Sequence, residues 1–332
     1  MNLGGEAGAY GPALAGTEYG EVFLERTSWT SARLEDGAVR DIGTGTERGL
    51  GLRLLTRENG RVLTLFGSSQ DTGPQAAARL RKRLKPDAPE RGPGFSPARS
   101  NPARCRLDPA TIPLARKIAL LHALDRAARE LSPLVRQVTA LYGDRTIDTR
   151  VRNSDRADLR QSRISATLSI SVVAEHGTGL QTGTEVLGAQ RGFELFDNDA
   201  APAAACRAAA RALAKLNAPK AKAGEMPVIL AAAAGGTFIH EAIGHSLEVD
   251  HVQEGSSPAY GGKEGKIVAP EAITVIDDPT LPFQRGSFIF DDEGVDAQPT
   301  VLVQNGVLKN FLYDRATALR EERVSNGHGR RE

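Results

Sequence analysis

Cysteine, aromatic side chains and net charge are all scarce in this chain. Only Cys105 and Cys206 occur among 332 residues, far apart and outside any CxxC pattern. That excludes a disulfide framework and fits a reducing compartment. A formal net charge of +1 argues against a dedicated nucleic-acid binder, so no direct nucleic-acid partner is expected. Aromatic residues make up 5% and apolar residues 40%, within the range of soluble globular proteins. No apolar run is long enough for a membrane span. VILAAAAGG (228–236) is far too short. MNLGGEAGAYGPALAG, at the start, has neither a basic region nor an apolar core, so it does not read as a signal peptide. No 20- to 50-residue repeat is visible. The expectation is a cytoplasmic protein with no membrane contact.

The length allows two or three domains. Residues 19–67 read as short strands with hairpin turns at Asp36-Gly37 and Asn59-Gly60. DTGPQAAARLRKRLK (71–85) reads as a helix with a polar cap and an early proline. Residues 86–113 are rich in Pro, Gly and Arg and read as a linker or surface loop. LARKIALLHALDRAARELS (114–132) is an amphipathic helix, with His122 as a partly buried structural residue. Residues 135–196 read as a β-meander, with His176 at the surface before a glycine turn. Residues 199–218 form a second helix, on which Cys206 packs, and a short linker follows.

From Met226 the pattern predicts a short buried strand in MPVILAAAA. A glycine-led helix over GGTFIHEAIGHSLEVDHV follows, then strands in EAITVIDDP, GSFIFDDEG, PTVLVQ and VLKNFLYD. The fold class is α+β, with N-terminal and middle α/β regions containing antiparallel strands. A β-rich C-terminal region carrying the histidine helix comes after them. The segments are an N-terminal α+β domain (1–85), the linker (86–113), a middle α+β region (114–222) and a C-terminal region (223–332). Two glycine-rich stretches, GTGTERG and GTGLQTG, precede strands rather than helices. They read as turns, not phosphate loops.

The chemistry concentrates in H-E-A-I-G-H, His240 to His245. A hydrolytic zinc site needs neutral imidazoles, an open coordination position and a base beside the water. In HExxH the histidines are four residues apart and share a helical face. Here they are five apart, about 140° in projection on an ideal α-helix. One π-type turn would bring them together, and Gly244 offers local freedom for it. Glu241 points about 100° away from His240, which suits a base rather than a ligand. Spacing alone leaves open two histidines on an ordinary core helix. Glu248, Asp250, His251, Asp291, Asp292 and Cys206 are candidate third ligands, none with diagnostic spacing. GHSLE falls one residue short of a G-x-S-x-G elbow, and Ser246 would lie mid-helix, so a serine hydrolase is disfavoured.

Four ordered segments carry a resemblance: HEAIGHSLEVD, GSFIFDDEG, VLVQNGVLKNFLYDR and SNGHGRRE. Together they resemble the TldD/PmbA (TldE) zinc metalloproteases, and the histidine motif points to the TldD branch. The resemblance implies a zinc peptidase cleaving unfolded or extended peptides, with the peptide held as an added strand. It implies His240 and His245 as zinc ligands, Glu241 as general base, and Asp291 and Asp292 near the cleft. A TldE/PmbA-like partner or a homodimer is implied as the assembly. The family's third zinc ligand is a cysteine beyond the Arg-Arg motif, and no position here matches it. The chain therefore reads as C-terminally truncated, with residues 223–332 as the first part of a metallopeptidase domain. Its sheet edge is expected to be unfinished. The alternative is a non-catalytic peptide-binding or scaffold member without a competent metal site.

Overall fold

The computed structural model describes residues 14, 17–58, 61–67, 95–103, 105–197 and 199–331. The helix expected at 71–85, the Asn59-Gly60 turn, the N-terminal stretch and the first part of the 86–113 linker lie outside the described residues, apart from Leu14.

Seven strands form the main sheet: β1 (Tyr19–Glu35), β2 (Ala38–Glu58), β3 (Arg61–Gly67), β4 (Arg99–Asn101), β5 (Val135–Asn153), β6 (Asp158–His176) and β7 (Gly179–Ala189). Their order is β3-β2-β1-β5-β6-β4, with β7 also paired to β6. Among the described strands of this sheet, only the β4–β6 pairing is parallel. The first hairpin closes where expected, with Asp36 (φ 51°) and Gly37 (φ 71°) both left-handed. That is the backbone of a two-residue I′ turn. The strands are longer than the sequence suggested. GTGTERG lies inside β2 rather than in a turn, because Trp29 of β1 covers Gly43 and Gly45, where a Cβ would meet the indole at 2.7 and 3.0 Å. Gly143 likewise passes through the middle of β5.

Two helices, α1 (Leu114–Glu130) and α2 (Ala200–Leu216), cover one face of this sheet. On β6, Ala166, Leu168, Ile170, Val172 and Ala174 are all buried. The residues between them are serine, threonine and valine, the period of two of a one-sided strand. The buried alanines of α2, at 201, 204, 205, 208, 209 and 212, let its backbone approach β7. A Cβ on Gly183 would lie 2.0 Å from the Ala208 carbonyl oxygen. His122 is half-buried on α1 and His176 is exposed at the end of β6. Cys206 lies 3.8 Å from the Ala127 carbonyl, between the two helices.

The C-terminal region adds a three-stranded sheet of β8 (Val275–Asp277), β9 (Thr300–Gln304) and β10 (Val307–Leu308), in the order β10-β9-β8. It also adds helices α3 (Ala232–Ile239), α4 (Val249–Gln253) and α5 (Arg315–Arg320). Mixed α and β elements with mostly antiparallel pairing match the α+β class read from the sequence. Two expected strands are not formed. MPVILAAAA gives exposed coil and then the start of α3, with Ile229 99% exposed. GSFIFDDEG gives a tight turn with one bridge, between Phe290 and Asp296. Among the described residues, no helix is long and apolar enough to cross a membrane.

Candidate metal centre

Helix α3 does not continue as an α-helix through the histidines. Residues His240–Gly244 form a π turn, and the His245 N–H bonds back to the His240 carbonyl. A 3₁₀ turn, His245–Leu247, follows. The widened turn reconciles two demands. Ile243, Leu247 and Val249 are buried against β9, β10 and residues 311–313. His240, Glu241 and His245 are left exposed on the outer side. The two imidazole rings sit 4.4 Å apart at 67°. One ligand atom from each of His240, Glu241 and His245 falls within 4.8 Å of the others.

Gly244 plays a different part from the one expected. Its φ of −52° and ψ of −67° are open to any residue, so glycine's freedom is not what the turn uses. A Cβ there would lie 3.3 Å from His240 Nδ1. Glycine leaves room for the ring.

His245 Nδ1 lies 2.8 Å from Glu248 Oε1. Glu248, Asp250 and His251 form a second group within 4.8 Å of one another. Ser246 sits in the 3₁₀ turn, not on a strand-to-helix elbow. Asp291 and Asp292 are buried and lie outside both groups. Asp291 accepts from the backbone N–H groups of Glu293 (3.0 Å), Val295 (2.8 Å) and Gly329 (2.9 Å). Asp292 accepts from Arg330 (3.0 Å) and from the Arg331 N–H (2.8 Å). The two acids clamp SNGHGRRE onto the turn, and burial raises both carboxyl pKa values. Beside α4, a cleft of about 350 Å³ is lined by Glu248, Asp250, Arg53, Glu293, Arg330 and Arg331, among others. Glu248 and Glu293 were not singled out in the sequence for the work they do here. The one available signal was Glu248's spacing of three from His245.

Comparison with known proteins decides the family. Residues 20–83, 107–216 and 223–332 match, in that order, the PmbA/TldA metallopeptidase domain 1, central domain and C-terminal domain. The chain belongs to the PmbA/TldD family. A Haemophilus influenzae relative, "Metalloprotease TldD homolog", is 31% identical over 95% of this chain and 67% of its own length. A Saccharolobus solfataricus relative, "Zinc metalloprotease TldD homolog", is 32% identical over 60% of this chain and 44% of its own length. The crystal structure of TldE from Thermococcus kodakarensis aligns with a TM-score of 0.66 at 21% identity, over 95% of this chain and 71% of that one. At that identity the likeness speaks for the fold alone.

The donor chemistry of His240, Glu241 and His245 fits a divalent metal ion. Two exposed imidazoles with a carboxylate beside them form a nitrogen and oxygen donor set of the kind that zinc, a borderline-soft ion, accepts. The two imidazoles meet edge to face, with a ligand atom of each within 4.8 Å of the other.

Proposed function

We propose that the chain is a TldD-like zinc metallopeptidase that hydrolyses peptide bonds in unfolded or extended peptides. The supporting observation is the π turn that gathers His240, Glu241 and His245 on one exposed surface. His240 and His245 would hold Zn2+, which when bound supplies Lewis acidity and eases deprotonation of water. Glu241 would take the proton from the attacking water at a carboxylate oxygen and return it to the leaving amine. Asp291 and Asp292 would act near the cleft by holding Gly329, Arg330 and Arg331, which line it. A third ligand would come from outside this chain's two histidines. No membrane and no nucleic acid enter this reading, and the compartment is the cytoplasm.

An extended substrate fits the surroundings. Val228, Ile229 and Leu230 are 70%, 99% and 51% exposed just before α3, an apolar stretch that a peptide or a TldE/PmbA-like subunit could cover. A second copy of the chain is the other candidate for that surface. At one edge of the small sheet, β8 offers backbone groups for an added strand, whereas the outer edge of β10 is taken by residues 265–268. The competing reading is a peptide-binding scaffold without a competent metal. It is favoured by the 52% side-chain exposure of His245, which leaves one side of the centre open.

Elemental analysis combined with one substitution separates the two. The peptidase reading expects one zinc per chain and cleavage of an unstructured peptide. Glu241→Gln should cut that cleavage by about 10²–10⁴-fold without lowering zinc content. Peptide binding with no zinc would establish the scaffold instead.

A further inference from the structure

We propose that Glu248 is the positioning residue of the metal centre. In this role it holds His245 in the one tautomer and orientation that leaves Nε2 free to bind metal. The consequence for metal binding rests on the metallopeptidase reading; the tautomer itself does not.

The argument begins with the 2.8 Å contact between His245 Nδ1 and Glu248 Oε1. An ionised carboxylate can only accept, so the ring proton sits on Nδ1. In the neutral ring Nε2 then keeps its lone pair. The carboxylate is not held by chance. The 3₁₀ turn ends at Glu248, whose backbone becomes extended (φ −68°, ψ 121°) and forms a parallel bridge with Leu312. Leu312 N–H donates to Leu247 O at 2.9 Å, and Val249 N–H donates to Leu312 O at 3.1 Å. Leu247 and Val249, on either side, are 0% and 2% exposed. Two buried anchors and two backbone hydrogen bonds therefore fix the Cα from which the carboxylate reaches back to His245. The second oxygen, Oε2, lies 3.7 Å from His251 Nε2, and His251 Nδ1 is in turn 3.1 Å from Ser256 Oγ. The carboxylate thus stands between two imidazoles, turned toward His245. This is the work of a group behind a ligand: it sets ring orientation and raises ligand basicity. It differs from the third-ligand role for which Glu248 was a candidate, because the nearer oxygen is already committed to Nδ1–H.

Long-range 15N–1H correlation spectra of the metal-free protein at about pH 8, where a free imidazole is neutral, read the tautomer directly. Wild type is expected to show His245 protonated on Nδ1. Glu248→Ala should move it toward the Nε2–H form favoured by free imidazole. Glu248→Gln, whose amide oxygen can still accept, should largely keep it. Competition with a chromophoric chelator should show zinc affinity falling about 10–100-fold in Glu248→Ala, and less in Glu248→Gln. An Nε2–H tautomer in wild type, or an unchanged tautomer in Glu248→Ala, overturns the proposal. Where wild type binds zinc, an equal affinity in Glu248→Ala overturns it as well. If neither protein binds zinc, the metallopeptidase reading fails, and the tautomer shift alone still decides the role of Glu248.

Discussion

At the residue scale, the position that separates metal binding from stability is Gly244. Its dihedrals are helical, so replacing it with alanine brings the helical preference of alanine, worth up to about 1 kcal/mol. The new Cβ would, however, sit 3.3 Å from His240 Nδ1, closer than ordinary contact, and the ring would have to give way by a few tenths of an ångström. The two effects act on different observables. Gly244→Ala should leave the melting temperature equal or slightly higher. Zinc affinity should fall several-fold, because the ring it displaces belongs to a proposed ligand. Calorimetry and chelator competition on the same sample check both. Unchanged zinc affinity would mean that the space beside His240 is not what glycine protects.

At the scale of elements, the hairpin of β5 and β6 is pinned by one carboxylate. Asp158 accepts from Arg150 at 2.8 and 2.7 Å and from Arg152 at 2.9 and 2.7 Å. Arg150 is 1% exposed, and the two guanidinium groups outweigh burial to pull the Asp158 pKa down. Asp158→Ala would strip the shared carboxylate from a buried cation, a loss of about 3–5 kcal/mol. Urea unfolding should show the midpoint moving with an unchanged slope. The elements also show where sequence reading succeeds and stops. The Asp36-Gly37 turn was legible because its dihedrals demand those residue types. The π turn was legible because histidines five residues apart, His240 and His245, come together only on a widened turn. The length of β1 and β2 was not legible, since Gly43 and Gly45 read as turn residues until Trp29 lies across them. GSFIFDDEG read as a strand from its alternating apolar residues. Asp291, bonded to the N–H groups of Glu293 and Val295, bends it into a turn instead. MPVIL read as buried from its apolar letters, but no described element packs over Ile229.

At the scale of the whole molecule, Glu293 joins the long sheet to the C-terminal region, and it should make stability depend on pH. Its carboxylate meets Arg53 of β2 and accepts from the Arg315 N–H at 2.8 Å. Its carbonyl oxygen accepts from Asn153 at 3.2 Å and lies 2.6 Å from the Tyr19 hydroxyl. Arg53 also reaches Glu21 at 3.0 Å and Asp314 at 3.5 Å, and Arg331 meets Glu21. Residues from the two ends of the chain thus share one buried charge network. No local pattern could announce it, because Arg53 and Glu293 are 240 residues apart. Burial raises the Glu293 pKa from 4.5 to about 7, against the pull of Arg53 and with help from Asp314 and Asp291. The folded protein therefore holds this proton over a range in which the unfolded chain has released it. That contribution to stability is complete below the unfolded value and is lost as pH rises through about 7. Burial shifts Asp291 and Asp292 in the same direction. The free energy of unfolding should fall between about pH 5 and pH 7, by an amount on the order of 1–3 kcal/mol. Glu293→Gln keeps the shape of the side chain and removes the titration, so most of that slope should vanish. Urea titrations at closely spaced pH values would show this. A wild-type curve that rises through the same window, or an undiminished slope in Glu293→Gln, would mean that the link between the two regions does not run through this carboxyl.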